Sequence, residues 1–193
     1  MVGILLAAGF SRRFGTIDKL LQRLPDGRPI ALAAAESLVK VLPTSIAVVR
    51  PENKVLAELL VNAGLKIVCC SDAPQEMADS LTTAIRFSAQ VEVSNDGFVI
   101  ALADMPYIQP ATISMVANKL SNGASIVIPT FEGQRGHPVA FSAKFRYALE
   151  NLHGDEGARA IIKQHPNDVE LITSMDSGIL ADIDTLADLK ARY

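Results

Sequence analysis

Cysteine is nearly absent from this chain of 193 residues: the only two, Cys69 and Cys70, are neighbours. Adjacent cysteines seldom bridge one another, because the disulfide would strain the intervening peptide, so a disulfide framework is excluded. No Cys-x-x-Cys spacing exists to hold zinc. Both thiols are expected reduced, in or at the end of a strand. Long basic runs are missing too, and the formal net charge is −3. That excludes a nucleic-acid backbone or an anionic membrane as the expected partner. The apolar opening Met1-Val2-Gly3-Ile4-Leu5-Leu6 carries no charged leader and soon gives way to glycine and arginines. It is too short to span a bilayer. A cytoplasmic protein is the expectation. Repeats, low-complexity tracts and a clear interdomain linker are also lacking.

What the chain does have is apolar mass. Hydrophobic residues make up 49% of it, enough for a full core, and the length fits a single domain over residues 1–193. Short apolar runs alternate with longer helical patterns. Strands are predicted at Val2–Leu6, Ser45–Val49, Lys66–Cys69, Phe98–Leu102, Ser125–Pro129 and Val139–Phe141. Helices are predicted at Ile30–Val41, Asn53–Ala63, Ala78–Ala89, Ala111–Leu120, Lys144–Leu149 and Gly157–Lys163, with a last one from about Thr185 to Arg192. In Asn53–Ala63 the apolar residues Val55, Leu56, Leu59, Leu60 and Ala63 recur at helical spacing. Strand–helix alternation implies crossover units, hence an α/β, Rossmann-like three-layer domain with a mostly parallel sheet. Ligands of such sheets bind beyond the C-terminal ends of the strands, which identifies the loops to search. Residues 1–107 are the more regular half. Residues 108–193, broken by Gly133, Gly136, Pro138, Gly154 and Gly157, form the expected acceptor-binding half.

The loop after the first strand carries Ala7, Ala8, Gly9, Ser11, Arg12, Arg13, Gly15 and Lys19. Small residues let backbone approach a ligand and present consecutive N–H groups to phosphate. Arg13 and Lys19 add charge for a polyphosphate. The loop is neither the Gly-x-Gly-x-x-Gly of dinucleotide folds nor the Gly-Lys-Ser/Thr of a P-loop; a solvated turn is its plain alternative. Asp104 follows the strand Phe98–Leu102, where a hard divalent cation could sit above a phosphate loop; otherwise it caps the helix that starts near Pro110. Alternation places Asp182 and Asp184 on one side of an extended segment, so either could complete a magnesium site, although Asp184 also reads as a helix cap. In Gly133-Gln134-Arg135-Gly136-His137-Pro138, Arg135 and His137 could meet an anionic acceptor, or His137 could bond within the turn. Asp155 could cap the following helix, with Arg159 pairing to it or reaching a substrate. Ser80, at the start of a helix, could serve the nucleotide or the cap.

Together these residues resemble the molybdenum cofactor nucleotidyltransferases, within the nucleotide-diphospho-sugar transferase superfamily. The resemblance covers nearly the whole chain in order. It runs from Leu6-Ala7-Ala8-Gly9-x-Ser11-x-Arg13-x-Gly15 and Asp18-Lys19-Leu20, through Asp104-Met105-Pro106 and Gly136-His137-Pro138. It continues in Gly154-Asp155-Glu156-Gly157-Ala158-Arg159 and Asp182-Ile183-Asp184-Thr185. The later set narrows it to the cytidylyltransferases for molybdopterin. Where that family often has Gly-Met-Ser-x-Ser-Leu, this chain has Glu76-Met77-Ala78-Asp79-Ser80-Leu81, and Leu186 replaces a frequent proline.

The resemblance implies that the terminal phosphate of molybdopterin attacks the α-phosphate of CTP, giving molybdopterin cytosine dinucleotide and pyrophosphate. It implies that Arg13, Lys19 and Asp104 carry the chemistry. Leu6, Ala7, Ala8, Gly9, Ser11 and Ser80 would complete the nucleotide site, Asp104 and Asp184 would hold Mg2+, and Arg135, Gly136, His137, Asp155 and Arg159 would meet the acceptor. A recipient molybdoenzyme or its chaperone is a further partner this implies. GTP as donor or a sugar or polyol phosphate as acceptor is the nearest rival. The guanylyl relatives typically have two glycines where this chain has Ala8-Gly9, and the Ala8 methyl favours a pyrimidine. A non-catalytic molybdopterin carrier is the rival from another class; Lys19 and Asp104 argue against it. Phosphoryl chemistry of this kind needs positioning and charge neutralisation rather than a general base, which suits a chain without a nucleophile–histidine pair.

Overall fold

The computed structural model describes residues 1–9, 18–70, 77–91, 96–154 and 157–190. Ser11, Arg13 and Asp155 lie outside the described residues. The first half winds as its alternating pattern requires. β1 (Val2–Leu6), β2 (Ser45–Val49), β3 (Lys66–Cys69) and β4 (Gly97–Leu102) are all parallel, in the spatial order β3-β2-β1-β4. Helices α1 (Ile30–Val41), α2 (Lys54–Asn62) and α3 (Met77–Ser88) make the crossovers. Because β1 has β2 on one side and β4 on the other, the winding reverses there, and a crevice opens beyond the ends of β1 and β4.

The second half adds α4 (Pro110–Ser121), β5 (Ile126–Phe131), β6 (Gln134–Arg135), β7 (Val139–Ser142), α5 (Arg146–Glu150), α6 (Arg159–Gln164), β8 (Val169–Thr173) and α7 (Leu186–Lys190). β7 inserts antiparallel between β4 and β5, while β8 runs parallel to β5 along its other side. The α/β expectation therefore holds, with an antiparallel insertion in the second half.

Side-chain alternation explains the layers. Leu5, Ala47, Val49, Val99 and Ala101 point into one apolar cluster with Leu38, Leu56, Leu60, Ile113 and Val116 of α1, α2 and α4. Val2, Ile4, Ile46, Val48, Phe98 and Ile100 point into the other, with Leu81, Ile85, Leu149 and Ile161 of α3, α5 and α6. Both faces of the central strands are covered, so the strands read as continuous apolar runs rather than alternating ones. Cys69 ends β3 exposed and Cys70 follows it buried, both as free thiols.

Two strands and one segment differ from expectation. β8 is missed because Val169-Glu170-Leu171-Ile172-Thr173 mixes polar and apolar residues on a half-exposed edge. β6 is only two residues long, too short for any periodicity. The segment Ala181–Asp184 is not a strand, so alternation does not put Asp182 and Asp184 together. Asp182 is exposed along a cleft, whereas Asp184 turns to Lys19.

One polar knot ties the second half down. Asp176 is 5% exposed and its carboxylate accepts from Gln109 N (2.8 Å), Thr112 Oγ1 (2.7 Å) and Gly178 N (2.9 Å). It thereby caps α4, whose own N-cap Gln109 makes no side-chain cap, and steadies the 3-10 turn Ser177–Leu180. Removing the carboxylate would leave these donors without that acceptor in a buried setting. Asp176→Ala is expected to cost about 3 kcal/mol, lowering the melting temperature by roughly 10 °C in a thermal scan. A change of under about 2 °C would show that water replaces the carboxylate.

Candidate functional site

The register at the switch point sets the site. Leu6 ends β1 opposite Leu102 of β4. Beyond them, Ala103 N donates to the Leu6 carbonyl (3.1 Å) and Ala7 N to the Val48 carbonyl (3.0 Å). Asp104 is therefore held beside the start of the first loop. Ala7 and Ala8 are buried at 3% and 4%; Ala8 belongs to the cluster beneath α3. Gly9 is exposed, and a Cβ there would meet nothing within 4 Å. Among the described residues, then, no packing contact requires that glycine.

Lys19 reaches the same place from the far end of the loop. It begins a 3-10 turn, Lys19–Leu21, capped by Asp18, whose carboxylate accepts from Leu20 N (3.0 Å) and from the Asn53 side-chain amide. Buried Leu20 anchors the turn. The Lys19 ammonium then donates to Asp104 Oδ2 at 2.8 Å and to Asp184 Oδ1 at 3.1 Å. Burial alone would push its pKa down, but hydrogen bonding and attraction from Asp104 and Asp184 prevail and hold it above the ordinary lysine value.

Asp184 comes from the C-terminal segment. Ile183 N donates to the Asp104 carbonyl (2.9 Å) and the Ile183 side chain is 1% exposed, so the backbone brings the two carboxylates to one cation. Asp184 is not the cap of α7. Thr185 and Asp188 do that work reciprocally: Thr185 N and Oγ1 donate to Asp188 Oδ2 (2.6 and 2.8 Å), and Asp188 N donates to Thr185 Oγ1 (3.2 Å). Nor does Asp104 cap α4, where Asp176 serves. Two carboxylate oxygens within about 3 Å of one ammonium are a hard donor set that fits magnesium or manganese. Among the described residues no group of three or more His, Cys, Asp and Glu gathers around a metal position.

Beside this cluster lies a cleft of about 500 Å³. Leu6, Leu81, Ile100, Leu102, Met105 and Ile128 give it an apolar lining, and the exposed Arg135, Arg159 and Asp182 also border it. Gly136 is there for packing: a Cβ would fall 2.4 Å from the Ile179 carbonyl, to which His137 N donates at 3.0 Å. The His137 imidazole lies against the Ile100 backbone, and its Nδ1 is buried without a hydrogen-bond partner. Burial lowers its pKa to about 4, with Asp104 pulling upward and Arg159 downward. A neutral imidazole at neutral pH is not an anion-binding cation.

The structure thus gathers Lys19, Asp104 and Asp184 in one cluster, and Arg135, Gly136, His137 and Arg159 along one cleft. Ser80, 8% exposed in the first turn of α3, does not line that cleft, although its neighbour Leu81 does. Lys163 lines the cleft and was not among the expected residues. Its position one helical turn beyond Arg159 was the available signal. Among the described residues no helix is long and apolar enough to cross a membrane.

A family model for a MobA-like NTP transferase domain matches residues 3–169. Purine catabolism protein PucB of Bacillus subtilis is 28% identical over 193 residues, covering 96% of this chain and 92% of that protein. Nicotine blue oxidoreductase of Paenarthrobacter nicotinovorans is 28% identical over 200 residues, covering 98% and 94%. The crystal structure of Rv0371c from Mycobacterium tuberculosis superposes with a TM-score of 0.84 at 26% identity, over 98% of this chain and 95% of that one. A second structure of Rv0371c is a complex with manganese (TM-score 0.80, 24% identity, 98% and 96% covered).

His137 makes stability depend on pH in a defined window. In the unfolded chain the imidazole protonates below about 6.5, whereas in the fold it stays neutral until about 4. The unfolded state therefore binds the extra proton between those values, and stability falls as pH drops through them. Urea titrations from pH 7 to 4.5 should show the wild type losing up to about 1.4 kcal/mol per pH unit more than His137→Gln. Parallel pH profiles would mean that the imidazole titrates normally.

Proposed function

The chain belongs to the MobA-like NTP transferase family, whose members transfer nucleotides, and on that premise we propose that it moves CMP from CTP to the terminal phosphate of molybdopterin. The observation that carries this reading is the convergence of Lys19, Asp104 and Asp184 at the switch point of the sheet. A site of cations and carboxylates beside a small-residue loop suits a reaction in which positioning and charge neutralisation do most of the work. The attacking phosphate is already ionised at neutral pH, so no residue need remove a proton. That accords with a neutral, buried His137.

In this reading residues 1–107 hold the donor and residues 108–193 the acceptor. The first loop, with Ser11, Arg13 and Lys19, grips the triphosphate, and Ser80 lies toward the nucleotide. Asp104 and Asp184 would hold Mg2+. When bound, the ion offsets charge on the donor phosphates and on departing pyrophosphate. Arg135, His137, Asp155 and Arg159 face the acceptor. Ala8, where guanylyl relatives typically carry glycine, favours the smaller pyrimidine. A cytoplasmic location and delivery of the product to a molybdoenzyme or its chaperone complete the proposal.

Lys19 has two duties here. Without metal it bridges both carboxylates and offsets one of their two charges; with the metal nucleotide bound, its ammonium transfers to the triphosphate. It therefore competes with a free cation for Asp104 and Asp184. Lys19→Met should weaken CTP binding yet tighten Mn2+ binding measured by electron paramagnetic resonance without nucleotide. Weaker Mn2+ binding in that variant would remove the competition from the account.

The main test is pyrophosphate release with each of the four nucleotides, with and without molybdopterin. Release is expected with CTP and molybdopterin together, and CTP with magnesium should raise the melting temperature more than GTP does. Asp104→Asn should cut turnover at least ~100-fold, the scale of losing one preorganised electrostatic contact. Greater stabilisation by GTP would overturn the cytidylyl assignment, and full magnesium-dependent activity in Asp104→Asn would overturn the metal's placement.

A further inference from the structure

Lys19 is aimed from two sides, and the pair of carboxylates is one of them. On the other side its turn, Lys19–Leu21, is capped by Asp18, whose Oδ1 accepts from Leu20 N at 3.0 Å. The second oxygen of that carboxylate, Oδ2, accepts from the side-chain amide of Asn53, 35 residues away in sequence. Asn53 is itself firmly held. It caps α2, its Oδ1 accepting from Leu56 N at 3.3 Å, and its backbone N–H donates to the Arg50 carbonyl at 3.0 Å in the turn that follows β2. Leu56 and Leu60 of α2 are fully buried, which fixes the helix against the sheet. One amide therefore works at both ends: its oxygen closes the helix and its nitrogen holds Asp18. A plain cap needs only the acceptor. Aspartate, an equally good cap, has no N–H to give, and a serine or threonine hydroxyl is shorter than the amide. The donor end of Asn53 is thus unexplained by α2 alone.

We propose that Asn53 is a positioning residue for nucleotidyl transfer: through Asp18 it holds the Lys19 turn in place while the ammonium passes from Asp104 and Asp184 to a triphosphate. This rests on the reading of Lys19 as a triphosphate ligand and adds a residue to that same site. Asn53 acts through the lysine and need touch neither substrate nor metal. With the turn fixed, the exchange involves only rotations of the lysine side chain, and little further ordering is needed when phosphate arrives. With the turn released, the ammonium is held less firmly at the carboxylates and is less well placed for the phosphates. Two affinities then move in opposite directions. A bare divalent cation gains access to Asp104 and Asp184, and a polyphosphate loses part of its counter-charge. General loosening of the site would instead weaken both.

Asn53→Ser tests this, because serine keeps the helix cap but withdraws the amide N–H from Asp18. Its melting temperature should stay within about 4 °C of the wild type. Electron paramagnetic resonance measures binding of Mn2+ alone, and calorimetric titration measures the magnesium complexes of CTP and of inorganic tripolyphosphate. In Asn53→Ser, Mn2+ is expected to bind about 3-fold more tightly and both polyphosphates about 5-fold more weakly, the scale of one hydrogen bond. In a Lys19→Met background the same substitution should change none of these affinities, since its effect runs through the lysine. Weaker binding of Mn2+ and tripolyphosphate together, or no change in either, would overturn the positioning role. So would an effect that survives in Lys19→Met, or a loss confined to CTP, which would make Asn53 a contact to base or ribose. Failure of the wild type to bind CTP sinks the cytidylyl reading, whereas the Mn2+ and tripolyphosphate measurements still decide the role of Asn53.

Discussion

A single ammonium, that of Lys19, lies between Asp104 and Asp184, and the arrangement of the site depends on it. Two carboxylates this close would repel one another without a counter-charge between them. The lysine is only 11% exposed, so its attraction to them is less screened than that of a surface pair. The same geometry can accept a divalent cation only if Lys19 yields its place. In the proposed reaction, a polyphosphate that took the ammonium over would couple its own arrival to metal entry. Among the described residues two carboxylates gather there, part of a coordination shell that the donor's phosphates would complete in the proposed reaction.

Backbone bonds make this geometry rigid. Ala103 to Leu6 extends the β1–β4 ladder by one residue beyond the strands, and Ile183 to Asp104 adds the C-terminal segment to its edge. Buried Ile183 locks that segment into the same apolar cluster as Met105 and Ala103. Asp176 performs the corresponding task along the cleft, joining the N-terminus of α4 to the turn that carries Ile179, against which Gly136 packs. The cleft's shape therefore depends on buried hydrogen bonds far from any chemistry, and damage to them would alter the site without touching a substrate.

The two halves of the site use different physics. The side of Lys19, Asp104 and Asp184 is charge arranged beside the small residues Ala7, Ala8 and Gly9. The cleft beside it is an aliphatic wall with cations along its border, and His137 on its lining is kept neutral by burial. A charged histidine there would add cation strength only in acid, where the fold itself weakens. Arginine and lysine carry no such penalty, and they are what the cleft presents.

Much of this was legible in the linear chain, for reasons that can be located. β1, β2 and β3 and helix α1 fall where their periodicity places them, because central strands covered on both faces are uniformly apolar and the helix shows its buried stripe locally. The small-residue loop, Lys19 and Asp104 are neighbours of those strands and inherit their positions from the rule that ligands sit beyond strand ends. β8 was not legible, since a half-exposed edge strand has no apolar run to betray it. The choice between Asp182 and Asp184 was not legible either, because Lys19 and Asp184 are 165 residues apart and alternation applies only to a strand that does not form there. Local pattern determined the elements and the residue types near their ends. Only the folded chain decided which distant carboxylate met the lysine, that Asp176 rather than Asp104 capped α4, and that Lys163 joined the cleft, because each of these is settled by packing between segments that no sequence window contains.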